Sequence, residues 1–137
     1  MNTLTENEIA HIIVDCAFKV HKALGPGLLE SAYEECLFYD LTRSGLFVEK
    51  QRALPLVYDD VRLEIGYRVD LLVCKKVVVE VKSVDGLTDV HLAQVITYLK
   101  LSECKLGLLI NFNVALIKDG IRRVVLGLED SNRRACP

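Results

Sequence analysis

The chain has 137 residues, 51% of them hydrophobic and 26% charged, with a formal net charge of −2. That length suits one domain able to bury roughly two thirds of its unfolded surface, and the near-balanced charge excludes a strong global field that would gather nucleic acid from a distance. Apolar runs such as Val77 to Val79 and Leu106 to Ile110 fall far short of the ~18 residues a membrane span needs.

Asn2, Thr3, Glu6 and Glu8 stand where a signal peptide would carry its basic start and apolar block, so a cytoplasmic, non-membrane protein is expected. Five cysteines (Cys16, Cys36, Cys74, Cys104, Cys136), odd in number and without a CxxC pair, make a poor disulfide framework and a poor zinc site. The first four read as small core residues or edge thiols. Residues 1–130 are expected to form the single domain, and residues 131–137 a polar tail in which Cys136 is exposed and oxidisable.

Thr5 followed by Glu8 is a capping-box signature. Ile9, Ile12, Ile13, Cys16, Val20 and Leu24 recur at helical spacing, which predicts a helix from Glu6 to Ala23 that stops at Gly25-Pro26-Gly27. A second helix is expected from Leu28 to Ser44, with Gly45 ending it. From Phe47 the period becomes strand-like. Phe47 to Val57 reads as a strand whose Pro55 favours an edge or a bulge. After a turn at Asp59-Asp60 come strands from Arg62 to Val73 and from Val77 to Val84, joined by Cys74-Lys75-Lys76. Thr88 can cap a helix from Asp89 to Leu101. Lys105 to Phe112 reads as a central strand and Ile121 to Leu128 as the last. The expected architecture is α/β: two N-terminal helices, a three-stranded meander, a crossover helix and two further strands, giving a mixed sheet flanked by helices.

The turn between the second and third strands has its midpoint near Lys75, so a symmetric hairpin sets Asp70 opposite Glu80. Like charges placed there repel, and period two adds Lys82 to the Glu80 face while Val77, Val79 and Val81 point away. A hard divalent cation would relieve that repulsion. The plain alternative is a solvated strand face on which Lys82 offsets Glu80.

Asp70, nine intervening residues and then Glu80-Val81-Lys82 resemble the PD-(D/E)XK phosphodiesterase signature, without the proline of its name. The closest resemblance is to the GxxExxY branch, whose motif is matched letter for letter by Gly27-Leu28-Leu29-Glu30-Ser31-Ala32-Tyr33. The blocks Tyr67 to Leu72, Gln94 to Leu99 and Gly107 to Phe112 are similar to its other segments, so the likeness extends from Ile9 to Leu128.

That resemblance implies a restriction-endonuclease-like fold and a Mg²⁺ (or Mn²⁺) site. Its ligands would be Asp70, Glu80, the Val81 carbonyl and Glu30 from the second helix. Lys82 would orient the attacking water or stabilise charge on the phosphate, and Gln94 would line the cleft with Tyr98 one turn further along. The implied function is a nuclease or nuclease-like phosphodiesterase acting on DNA or RNA. A non-catalytic nuclease-fold module binding a protein partner or nucleic acid is the alternative. Without an appended recognition domain, specificity would come from loops, a homodimer mate or a partner protein.

Several residues have everyday readings as well. Tyr33 falls on the apolar stripe of its helix and could equally hydrogen-bond near Glu30, and Tyr98 has the same ambiguity. His11, His21 and His91 show no metal-ligand spacing and read as surface or satisfied core residues. Lys118, Arg122 and Arg123 read as a solvated rim, and strand parity ties only Arg68 and Lys82 to the expected site.

Overall fold

Thr5 caps the first helix reciprocally: its side chain accepts the Glu8 N–H while the Glu8 carboxylate accepts the Thr5 N–H. In the computed structural model, which describes residues 3–128, α1 runs Glu6–Leu24 and buries Ile9, Ile13, Cys16, Ala17 and Val20. Gly25, at φ 66°, ends it. Helix α2 spans Glu30–Arg43, two residues later than the pattern predicts. The Leu28 N–H is taken by the Tyr33 hydroxyl, and Leu29 stays extended at ψ 150°, so neither residue joins the helix. Cys136 and the tail from Ser131 lie outside the described residues.

Five strands follow: β1 Val48–Tyr58, β2 Val61–Val73, β3 Val77–Lys82, β4 Leu106–Asn111 and β5 Ile121–Val125, with α3 Asp89–Ser102 between β3 and β4. They form one sheet in the order β1-β2-β3-β4-β5. The crossover through α3 makes β3 and β4 parallel, and the other neighbours are antiparallel. Pro55 lies on the edge strand β1, and the register slips between Leu54 and Leu56 around this residue that has no N–H to give. A short 3-10 turn at Ile117–Gly120, which the sequence pattern did not suggest, leads into β5.

Helices cover both faces. Leu71, Val73, Val77, Val79, Val81, Leu106, Leu108 and Ile110 pack with α1 and α2, whereas Leu72, Val78 and Leu109 pack with α3 residues Val95, Tyr98 and Leu99. Double coverage explains why β3 and β4 read as unbroken apolar runs. β4 lies inside the sheet, though β3 is the middle strand.

The third strand stops at Lys82 rather than Val84. Asn111, buried at the end of β4, takes both backbone groups of Val84: its Oδ1 accepts the Val84 N–H and its Nδ2 donates to the Val84 carbonyl. The chain leaving β3 is thereby pinned to β4. Gly120 packs so closely on Asn111 that an added Cβ would fall inside the van der Waals shell of the Asn111 carbonyl oxygen. Gly66 sits at φ 102° with open space around it. Gly120→Ala should therefore cost about 3 kcal/mol, because backbone must move. Gly66→Ala should cost about 1–2 kcal/mol from dihedral strain alone. Urea unfolding of both variants checks the ranking, and equal losses would contradict it.

Candidate functional site

Strands β2 and β3 pair only from Val73↔Val77 to Leu71↔Val79, while β2 stays paired with β1 out to Tyr58↔Val61. The strands separate at Asp70. There Val69 joins the α3 side of the core although Leu71 belongs to the α1/α2 side, so strict alternation fails. Carboxylates take over the bonding that the ladder gives up. The Asp70 N–H donates to Glu80 Oε2 at 2.8 Å, and the Val81 N–H donates to Asp70 Oδ2 at 2.9 Å. Each acidic side chain is held by the backbone of the opposite strand, at the positions the hairpin's symmetry predicts.

Glu80 is only 3% exposed. Burial, and then the charge of Asp70, pushes its pKa up to about 8. Burial also raises Asp70. The Val81 N–H, the Gln51 amide and the Lys82 charge oppose that rise, while Glu30 adds to it. Lys82, half-buried at the end of β3, lowers both carboxyls. Glu30 opens α2 and accepts the Ser83 N–H at 3.3 Å, while the Ser83 hydroxyl donates to the Leu28 carbonyl at 2.6 Å. These two bonds fasten the start of α2 to the end of β3.

Tyr33 belongs to the core. It is fully buried and stacks on Phe112 with centroids 4.6 Å apart, and its hydroxyl donates to the Gly25 carbonyl while accepting the Leu28 N–H. It anchors the loop that delivers Glu30. Tyr98 is buried edge-on to Tyr67, and its hydroxyl is made less acidic by burial and then by Glu80 and Asp70, which places it on the site's flank. Gln94 is exposed on α3, and no hydrogen bond among the described residues links it to the carboxylates. Arg68 is tied to the site differently from what strand parity implies. Its guanidinium reaches the Gln51 carbonyl at 3.3 Å, because the alternation breaks before residue 68.

Sequence reasoning missed Glu34, Gln51 and Asn111. The Gln51 amide donates to Asp70 Oδ1 at 3.1 Å and to both Glu34 oxygens at 3.0 and 3.2 Å. The Glu34 carboxyl is raised by burial, lowered by Gln51 and raised again by Asp70. Glu34 was findable: it lies four residues after Glu30, on the same helix face. Gln51 carried no signal, since its position depends on a local kink in β1.

The remaining candidates have ordinary roles. Buried His21 shares a hydrogen bond with the Val114 carbonyl, His91 caps α3 and His11 pairs with Asp15 in solvent. Cys16, Cys36 and Cys104 are free thiols. Arg122 bonds nearby carbonyls and Arg123 bonds Asn7 of α1, both on the edge strand β5.

Among the described residues, no three His, Cys, Asp or Glu side chains close into a metal cage. Glu30, held by the Ser83 N–H, lies close enough to Asp70 for its charge to raise that carboxyl. The donors that remain still suit a hard cation. Mg²⁺ characteristically takes one or two carboxylates and completes its shell with water and phosphate oxygens. Half-buried Asp70, raised by burial and by Glu30, and buried Glu80, raised by burial and by Asp70, form the environment such a cation stabilises.

The sequence matches the family model of the PD-(D/E)XK nuclease superfamily over residues 7–124. The chain belongs to this superfamily. No curated protein and no solved structure matches it. Its five-stranded mixed sheet with three flanking helices agrees with the restriction-endonuclease-like fold of PD-(D/E)XK proteins. PD-(D/E)XK nucleases generally use divalent metal ions. Among the described residues, no helix is long and apolar enough to cross a membrane.

The Glu80 shift has a consequence for stability without metal. A carboxyl whose folded pKa is raised from 4.5 to about 8 holds its proton more tightly when folded. Its contribution is complete below about pH 4.5 and is lost as pH rises through about 8. Metal-free wild type should lose on the order of a few kcal/mol between about pH 5 and 8. Glu80→Gln should flatten that fall and be the more stable protein at the alkaline end. Denaturant titrations across pH check this, and parallel curves would contradict it.

Proposed function

We propose that the chain is a metal-dependent nuclease of the GxxExxY branch, hydrolysing phosphodiester bonds in DNA or RNA with Mg²⁺ or Mn²⁺. The observation that carries this reading is the crossed pair at the strand split: Asp70 and Glu80 are each fixed by the other strand's backbone, beside Lys82. Asp70, Glu80 and the Val81 carbonyl would hold the cation. When bound, it supplies a Lewis acid that acidifies water and offsets charge developing on the phosphate.

The chain's own groups do the rest. Buried on β3, Glu80 cannot swing away, so its free oxygen is preorganised rather than recruited. Lys82 places a fixed positive charge beside the two acids, where it can orient a nucleophilic water or meet a phosphate oxygen. Glu30, held by Ser83 at the rim, is positioned to accept a proton or to bind an outer water. Tyr98 and the α3 side form an apolar wall that keeps bulk water from one flank. Gln94 is exposed, which suits contact with substrate better than contact with the acids. A homodimer mate or a partner protein would add to the specificity that the loops supply.

The net charge of only −2 in a chain of 137 residues favours a second reading, a nuclease-fold module that binds nucleic acid or a protein partner without cleaving. Incubating plasmid DNA, single-stranded DNA and structured RNA with Mg²⁺ or Mn²⁺ separates the two. Cleavage is expected to require metal and to fall about 100-fold or more in Lys82→Ala. Cleavage by Lys82→Ala at the wild-type rate would remove the proposed role. No cleavage by folded wild type, with binding retained, would leave the second reading in place.

A further inference from the structure

The β1 backbone takes an uncommon course beside the two acids. Register pairs Lys50 with Leu71 and Arg52 with Val69, so Gln51 stands opposite Asp70. Its φ is 50°, a left-handed value that a side-chain-bearing residue holds within a strand only when its surroundings impose it. The Arg68 guanidinium bonds the Gln51 carbonyl from one side. From the other, the Gln51 –NH₂ group is shared between Asp70 Oδ1 and the Glu34 carboxylate. A flipped amide would turn its oxygen towards two carboxylates, so the chemistry of the site fixes which end faces Asp70. Val81 already holds the other Asp70 oxygen. Asp70 is thus gripped at both oxygens, once by β3 and once by β1.

We infer that Gln51 is a positioning residue for Asp70, with Glu34 as the group that orients its amide. The inference rests on reading Asp70 as a metal ligand. The rival explanation is that Gln51 only accommodates a kink in β1. Glycine distinguishes the two. It accepts positive φ more easily than glutamine and keeps the kink, but it has no amide to give.

The test is calorimetric titration of the full chain with Mn²⁺ alone, alongside thermal unfolding. Wild type is expected to bind and Asp70→Asn to lose binding. Gln51→Gly should melt at or above the wild-type temperature yet bind Mn²⁺ about tenfold more weakly, the usual effect of removing a partner that orients a ligand. Glu34→Ala should weaken binding in the same direction. Glu34→Gln, whose carbonyl oxygen can still accept from Gln51, should restore it. Wild-type affinity in Gln51→Gly would overturn the positioning role and leave the ligand assignment standing. Unchanged affinity in Asp70→Asn would overturn the ligand assignment itself. A readout that needs no metal is the NMR signal pair of the Gln51 carboxamide protons, expected to be displaced from the positions of a free glutamine side chain in wild type and to move towards them in Glu34→Ala. A pair unchanged in that variant would overturn the orienting role of Glu34.

Discussion

Everything around the candidate site depends on one local event: β2 stops pairing with β3 at Leu71 and continues with β1 alone. A strand pair that opens inside a protein exposes backbone N–H groups that must find acceptors. Here the acceptors are the side chains of Asp70 and Glu80. Two acids that would repel across an ordinary ladder are therefore useful to the fold, since each completes the other strand's hydrogen bonding. The same act removes their oxygens from water and leaves a charge imbalance that Lys82 offsets only in part. Structure and chemistry come from the same four atoms.

The surrounding elements hold that opening in shape. Tyr33, stacked on Phe112 and bonded at both ends of the α1–α2 loop, fixes where α2 begins. Ser83 ties that beginning to the end of β3. Asn111 pins Val84, and the lack of a side chain at Gly120 lets the two backbones approach closely there. The blocks that make the sequence resemble its superfamily, GLLESAY and GLLINF, thus contribute mostly packing and loop anchoring. Only one residue from these two blocks, Glu30, contributes a carboxylate to the site. A family motif can persist for the geometry it protects as much as for the groups it presents.

Electrostatics is concentrated rather than spread. The chain is close to neutral, yet Glu30, Glu34, Asp70 and Glu80 meet at one end of the sheet with Lys82 beside them. Some basic residues elsewhere pair with acids: Lys50 with Glu35, Arg52 with Glu49 and Arg62 with Glu64. The field at that end of the sheet is therefore local and acidic, in a molecule whose overall charge is weak.

The sequence by itself determined the element types, most of their bounds, the mixed α/β architecture and the facing of Asp70 and Glu80. Those features rest on short-range physics, namely capping residues, the periods of 3.6 and 2, turn residues and the symmetry of a tight hairpin. It also carried Glu34, unnoticed, one turn after Glu30. Tertiary structure alone decided the rest. The late start of α2 depends on a tyrosine hydroxyl that takes the Leu28 N–H before a helix can use it. The end of β3 depends on Asn111, a residue from the neighbouring strand. The role of Gln51 depends on a positive φ and a strand split that no periodicity encodes, because both arise from competition between a ladder and the side chains that replace it.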